Sequence, residues 1–225
     1  MPNFSPELLA YGFVWYVAFL FSTTCHEAAH ALIAKIGGDD TAALGGQVSL
    51  NPVPHIQREP WGMVVFPILS FLFMHGMIGW ASAPFDASWE RRHPRRAALM
   101  ALAGPAANYS LMLLAAIGLR VGHALGWLQS NPETGQPNLL TVVLLVFFSL
   151  NLLLGTFNLL PVPPLDGNTG ITVFMSDQAA IRFVDWTRSG LGFLGLFLAW
   201  FVFDKLFDPV WLFALRVLFP GAGYH

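Results

Sequence analysis

The sequence predicts an all-α polytopic membrane protein, a single membrane-embedded domain over 1–225 with about four to six membrane segments. Three observations carry this. Apolar side chains make up 55% of the 225 residues and charged ones 11%, against about 25% charged in soluble domains, so lipid must solvate much of the surface. Two runs, 97–119 and 138–159, contain no charged side chain, and each reaches the roughly 20 apolar residues that a span needs. A third apolar run starts at Leu8 and, as far as Gly38, holds only His26, Glu27, His30 and Lys35 as charged or imidazole groups. The formal charge of −2 argues for neither a nucleic-acid partner nor a polybasic membrane tether. Cys25 is the single cysteine, which excludes an intrachain disulfide. The first apolar run lacks a basic leader and carries the polar cluster itself, so no cleavable signal peptide is expected.

Taken in order, 8–37 forms the first span and Gly37-Gly38-Asp39-Asp40 ends it. Residues 45–57 alternate weakly through Val48 and Leu50 and contain Pro52 and Pro54; this predicts a short extended or hairpin segment. Residues 61–83 are apolar but broken by Pro67, Gly76 and Gly79. A basic loop at 84–96 carries Arg91, Arg92, Arg95 and Arg96, and 126–137 form a polar loop. The span at 138–159 runs into a proline-rich turn containing Pro161, Pro163, Pro164 and Asp166. The C-terminal membrane segments lie at about 186–219, as two apolar runs, 190–203 and 209–219, separated by Asp204, Lys205 and Asp208. They are compatible with a span followed by a partial return.

The arginine cluster predicts a cytoplasmic loop. Residues 97–119 then run outward and 138–159 run back, which puts Asp166 at the cytoplasmic side. If His30 binds the same metal, the first span ends there too, and 61–83 must begin and end on one side. A re-entrant segment turning near Gly76–Gly79 satisfies this, since irregular backbone is tolerated at membrane depth where protein or a wet cavity covers it. The alternative is a normal crossing with Asp166 outside the site.

His26, Glu27 and His30 are costly to place in hydrocarbon, roughly 2.5–3.5 kcal/mol for an acidic residue at a helix centre. Their pattern is HExxH. Residues i and i+4 share a helical face, so His26 and His30 can hold one metal ion, and Glu27 stands beside them to take a proton from water. A catalytic zinc needs a third protein ligand. Asp166 is the best candidate: it is the sole acidic residue between Glu133 and Asp177, and it follows a turn whose prolines forbid regular helix. Gly167 after it permits close backbone approach. Asn108 is the next candidate, an amide in an apolar span one turn after Gly104-Pro105; it is placed to donate to a developing oxyanion. His55 reads as a site-lining group or an interfacial loop histidine, and Cys25 as a small hydrophobe.

Four blocks carry a family resemblance: HEAAH at 26–30, GGQVSLNPVPHI at 45–56, AGPAAN at 103–108 and FNLLPVPPLDG at 157–167. Together they resemble the site-2 protease family of intramembrane zinc metalloproteases, in its compact subgroup without an inserted PDZ domain. The resemblance covers a catalytic core of about 8–170. It implies one zinc ion held by His26, His30 and Asp166, with Glu27 as general base and Asn108 assisting. It further implies cleavage of transmembrane protein or peptide substrates near the cytoplasmic face, by an integral multi-pass protein of the plasma membrane. Two stretches depart from the family pattern: Gln57 stands where an acidic residue is common, and 79–84 read GWASAP where a GWAKP-like stretch is common.

Other classes remain in view. A catalytically silent, zinc-containing membrane binding protein would usually lose the glutamate, and Glu27 is intact. A metal transporter would show further His or Asp pairs along a path. A membrane protease with a glutamate ligand on a later helix is disfavoured because no Glu follows residue 133.

Overall fold

A computed structural model describes residues 5–74, 76–132, 134–189 and 192–220. The frame is three long helices. Helix α1 (Pro6–Ile36) opens with Ser5 accepting from the Leu8 amide and Pro6 in the first turn, where its missing N–H is harmless. Two short helices follow, α2 (Thr41–Leu44) and α3 (Pro52–Arg58). A π-helical turn (Trp61–Val65) leads into α4 (Phe66–Met74). Then come α5 (Ala87–Arg92), α6 (Pro94–Ala124), α7 (Leu139–Asn158), α8 (Asp166–Gly170) with a 3-10 turn (Ile171–Phe174), α9 (Asp177–Arg188) and α10 (Gly192–Leu218). Helices α1, α6 and α7 are the three described helices long and apolar enough to cross a membrane.

Small residues set the spacing of the frame. Ala31 and Ala34 of α1 and Ala97, Ala98 and Ala101 of α6 are buried, which lets two backbones approach closely, as in membrane helix pairs generally. Ala18 and Phe19 of α1 pack on Val146 and Leu150 of α7. On the other side of the bundle, Ala115 and Leu119 of α6 meet Phe148 and Leu152 of α7, with Phe207, Trp211 and Leu218 of α10 against them.

Two expectations are corrected. The extended or hairpin segment predicted at 45–57 does not form: 45–51 are turns and bends, Pro52–Arg58 is helical, and no β-strand occurs among the described residues. The reason is local. Asn51 accepts from the Val53 amide, and Pro52 sits at the first helical position, so an N-cap and a pre-set φ outweigh a weak alternation with no partner strand. The C-terminal apolar runs are not separate pieces. Asp204, Lys205 and Asp208 are exposed on one continuous α10, which passes through Pro209.

The segment 61–83 doubles back. The helix ends at Met74, and the chain over 77–86 carries no regular secondary structure. The Trp80 amide donates to the Gly62 carbonyl at 3.1 Å. The two backbones cross where neither tolerates a side chain: a Cβ on Gly62 would overlap the Trp80 carbonyl, and one on Gly79 the Gly62 carbonyl. The helical part, Trp61–Met74, is about 21 Å long at 1.5 Å per residue, short of a hydrocarbon core of about 30 Å.

The end of α1 is tied down by Trp89 Nε1 and Arg96 Nη1, both donating to the Gly37 carbonyl at 3.0 Å. Asp39 beyond it accepts from the Thr41 amide and hydroxyl and from the Asp86 amide. Burial pushes this carboxyl up, but the bonds from Thr41 and Asp86 outweigh it and hold the pKa below the usual value. A depressed carboxylate contributes stability above its unfolded pKa, and the contribution is lost as pH falls through the folded value. Asp39→Ala should therefore lower stability by about 1–3 kcal/mol at neutral pH, with the gap to wild type closing below about pH 4. Thermal unfolding in detergent across pH 3–7 measures this; an equal gap at every pH would refute the assignment.

Candidate metal centre and active-site cavity

The HExxH turn of α1 faces α6 and the loop after α7. His26 Nε2, His30 Nε2 and Asp166 Oδ2 converge, with separations of 3.0 Å between the two nitrogens and 3.0 and 3.3 Å from them to the oxygen. Ligands around a tetrahedral zinc with bonds near 2.0–2.1 Å lie about 3.3 Å apart. The three are the one cluster of potential metal ligands among the described residues.

The protonation of these groups follows from their outer partners. His30 Nδ1 lies 2.7 Å from the Met100 carbonyl, a pure acceptor, so Nδ1 carries a proton and Nε2 is the nitrogen that faces Asp166. His26 Nδ1 lies 2.6 Å from Asn108 Oδ1. That orientation is set from further out: Asn151 Nδ2 donates to the Phe147 carbonyl and to Ser22 Oγ, both at 2.9 Å, which turns Asn151 Oδ1 toward Asn108 Nδ2 at 2.9 Å. Asn108 then shows its oxygen to His26, so Nδ1 of that ring is the donor and Nε2 faces Asp166 at 3.0 Å. Two imidazole nitrogens and a carboxylate within about 3 Å of one another need a positive charge among them, a shared proton or a metal ion. The donor set is two imidazoles plus a carboxylate, with the Nδ1–H groups anchored to acceptors, and it fits catalytic zinc.

Small residues make room for this. A Cβ on Gly104 would overlap both His30 Nε2 and His26 Nε2, so glycine is required where α6 crosses the imidazoles. Asp166 begins α8 directly after the proline turn, and Gly167 lies where a Cβ would overlap the Leu159 carbonyl. The folded-back loop thereby delivers the carboxylate.

On one side the centre opens into a cavity of about 450 Å³. Glu27, His30 and Asp166 line it, together with Ala81, Ser82, Ala83 and Asn168. The Glu27 carboxylate has no hydrogen-bond partner among the described residues. At the rim Arg188 of α9 forms a two-pronged pair with Glu90 at 2.7 and 3.0 Å and donates to Thr169 Oγ1 at 3.1 Å.

The structure thus brings His26, Glu27, His30 and Asp166 together. Asn108 is fully buried, engaged with His26 and Asn151, and does not line the cavity; its geometry is that of a positioning residue acting through His26. His55 is buried and donates from Nε2 to the Ser49 carbonyl at 3.0 Å, away from the cavity. Cys25 faces an apolar groove on the other side of α1. Sequence reasoning missed Ser22, Asn151, Gly104 and Asn168. Asn151 carried a usable signal, an amide in the middle of an uncharged span, where a buried polar group needs partners.

A His-His-Asp cluster able to hold a metal, enclosed by membrane-length helices, points to a membrane metalloprotease, and comparison with known proteins agrees. Putative zinc metalloprotease YwhC of Bacillus subtilis is 33% identical over 153 residues, 67% of this chain and 64% of that protein. The match spans slightly under two thirds of that relative's length. Putative zinc metalloprotease Rip2 of Mycobacterium tuberculosis, in strains H37Rv and Erdman, is 32% identical over 216 residues, 92% of this chain and 76% of that protein. This chain belongs to the site-2 protease family. No family model and no solved structure matches it.

Two substitutions test how the centre is held. Asn151→Leu frees the Asn108 amide to turn, and zinc affinity should fall about 10–100-fold. Gly104→Ala should displace the imidazoles and reduce zinc retention at least as much. Zinc content after competition with a graded chelator series reads both; unchanged affinity in Asn151→Leu would show that the amide chain does not orient His26.

Proposed function

We propose that this chain is an intramembrane zinc metalloprotease that cleaves transmembrane protein or peptide substrates near the cytoplasmic face of the plasma membrane. The observation that carries the reading is the convergence of His26, His30 and Asp166 at a cavity lined by Glu27, His30 and Asp166, inside a bundle of membrane-length helices. His26, His30 and Asp166 would hold one zinc per chain. When bound, zinc supplies Lewis-acid polarisation of the scissile carbonyl and acidifies water. Glu27 takes the proton of the attacking water and returns it to the leaving amine. Asn108, backed by Asn151 and Ser22, keeps the His26 ring in the ligating tautomer.

A helical carbonyl is already hydrogen-bonded, so the substrate must unwind to react. The stretch 77–86 supports an extended mode of binding. The Trp80 N–H donates to the Gly62 carbonyl, and the Ser82 carbonyl accepts from the Gln47 side-chain amide. Among the described residues no hydrogen bond engages the backbone of Ala81 or Ala83, and both line the cavity. This open edge takes the place of the strand expected at 45–57. The return of Trp80 to Gly62 supports a re-entrant 61–83, and with it a cytoplasmic level for both His30 and Asp166.

The test is zinc per chain and turnover together. Wild type should hold about one zinc, Asp166→Ala should retain far less, and Glu27→Gln should keep zinc while losing about 10²–10⁴-fold in cleavage of a transmembrane peptide. Full zinc retention in Asp166→Ala would remove that ligand. Zinc binding without Glu27-dependent cleavage would leave a silent zinc-containing binding protein. Cysteine-accessibility mapping of 61–83 should label both ends from the same side; labelling from opposite sides would sink the re-entrant topology.

A further inference from the structure

We propose that Asn168 is a substrate-binding residue whose side-chain carbonyl accepts a backbone N–H of an extended peptide in the cavity. This rests on the metalloprotease reading and names a group that recognises the unwound backbone.

Asn168 is 2% exposed, and its Oδ1 has no hydrogen-bond partner. A buried acceptor left unpaired is uncommon in folded proteins and calls for an explanation. The residue lines the same cavity as Glu27, His30 and Asp166. Its backbone is held firmly: its amide donates to the Leu165 carbonyl at 3.1 Å. Gly167 before it abuts the Leu159 carbonyl, and Gly170 after it abuts Leu102. The neighbouring Thr169 side chain is taken by Arg188. The amide therefore stands preset on a rigid turn, two residues from a metal ligand, with its acceptor unused.

An unwound peptide brings the complementary need. Each N–H released from its helix must find an acceptor in a site of low polarity, or the complex is destabilised. The edge at Ala81 and Ala83 offers partners along one side of such a peptide, and Asn168 offers an acceptor from the α8 turn. A site built to pair a substrate N–H discriminates strongly against an analogue that lacks it, because its own buried group is then left unpaired.

The probes are a tripeptide hydroxamate, three depsipeptide analogues in which one amide N–H at a time is replaced by ester oxygen, and acetohydroxamate. Binding to the zinc-loaded full chain in detergent is measured by calorimetry, for wild type, Asn168→Leu and Asn168→Asp. In wild type one ester should bind about tenfold more weakly than the amide, a loss typical of one buried hydrogen bond. In Asn168→Leu that difference should vanish with zinc content unchanged, and in Asn168→Asp, which keeps an oxygen at that atom, it should persist. The proposal is overturned if every ester binds wild type within twofold of the amide, if the penalty survives in Asn168→Leu, or if Asn168→Leu loses zinc. The wild-type ester series and Asn168→Asp decide the matter should Asn168→Leu fail to fold. Acetohydroxamate carries the zinc-binding group without a peptide. Its binding with no ester effect sinks the Asn168 assignment alone, and its failure to bind sinks the metalloprotease reading and the assignment with it.

Discussion

Two imidazole nitrogens and a carboxylate face one another across about 3 Å inside an apolar bundle, and the rest of the architecture holds them there. A metal ion among them would offset the desolvation of three polar groups by direct bonds. Everything that holds the groups in place acts against their natural tendency to turn away. The Met100 carbonyl and the Asn108 amide lock the two rings by their far nitrogens. The proline turn and Gly167 force the carboxylate inward, and Gly104 leaves out the one atom that would collide with the rings.

The amide chain from Ser22 through Asn151 and Asn108 to His26 shows why a metal centre in a membrane needs depth. Water cannot orient the ligand, so a side-chain relay does so, anchored at the Phe147 carbonyl whose acceptor role is fixed by chemistry. The relay crosses α1, α6 and α7, the three helices that form the frame, two of which pack through alanine faces. Ring orientation and helix packing are therefore one problem.

The cavity combines a rigid wall with an open one. The α8 turn is braced by Thr169, Arg188 and Glu90. The returning stretch 77–86 is bonded to Gly62 and Gln47 through Trp80 and Ser82, while among the described residues the backbone of Ala81 and Ala83 has no hydrogen bond. The proposed unwound substrate would meet that stretch in the cavity that Glu27, His30 and Asp166 line.

Much of this was legible from residue order. HExxH encodes its own geometry, because residues four apart on a helix share a face whatever surrounds them, and hydrophobicity alone marks α1, α6 and α7. Asp166 was legible by scarcity, an isolated carboxylate behind three prolines. What 45–57 would become was not: a weak period-two pattern has meaning only with a partner strand, and Asn51 with Pro52 settled it as a helix. The continuity of α10 through Asp204, Lys205 and Asp208 was equally hidden, since charges break a span only if they face lipid or core, and facing is a property of packing. The contact of Asn108 with His26 was hidden for the same reason. Sequence determined which groups have to be polar inside the membrane; only tertiary structure decided which atom of each is free to react, because hydrogen-bond partners come from helices far apart in the chain.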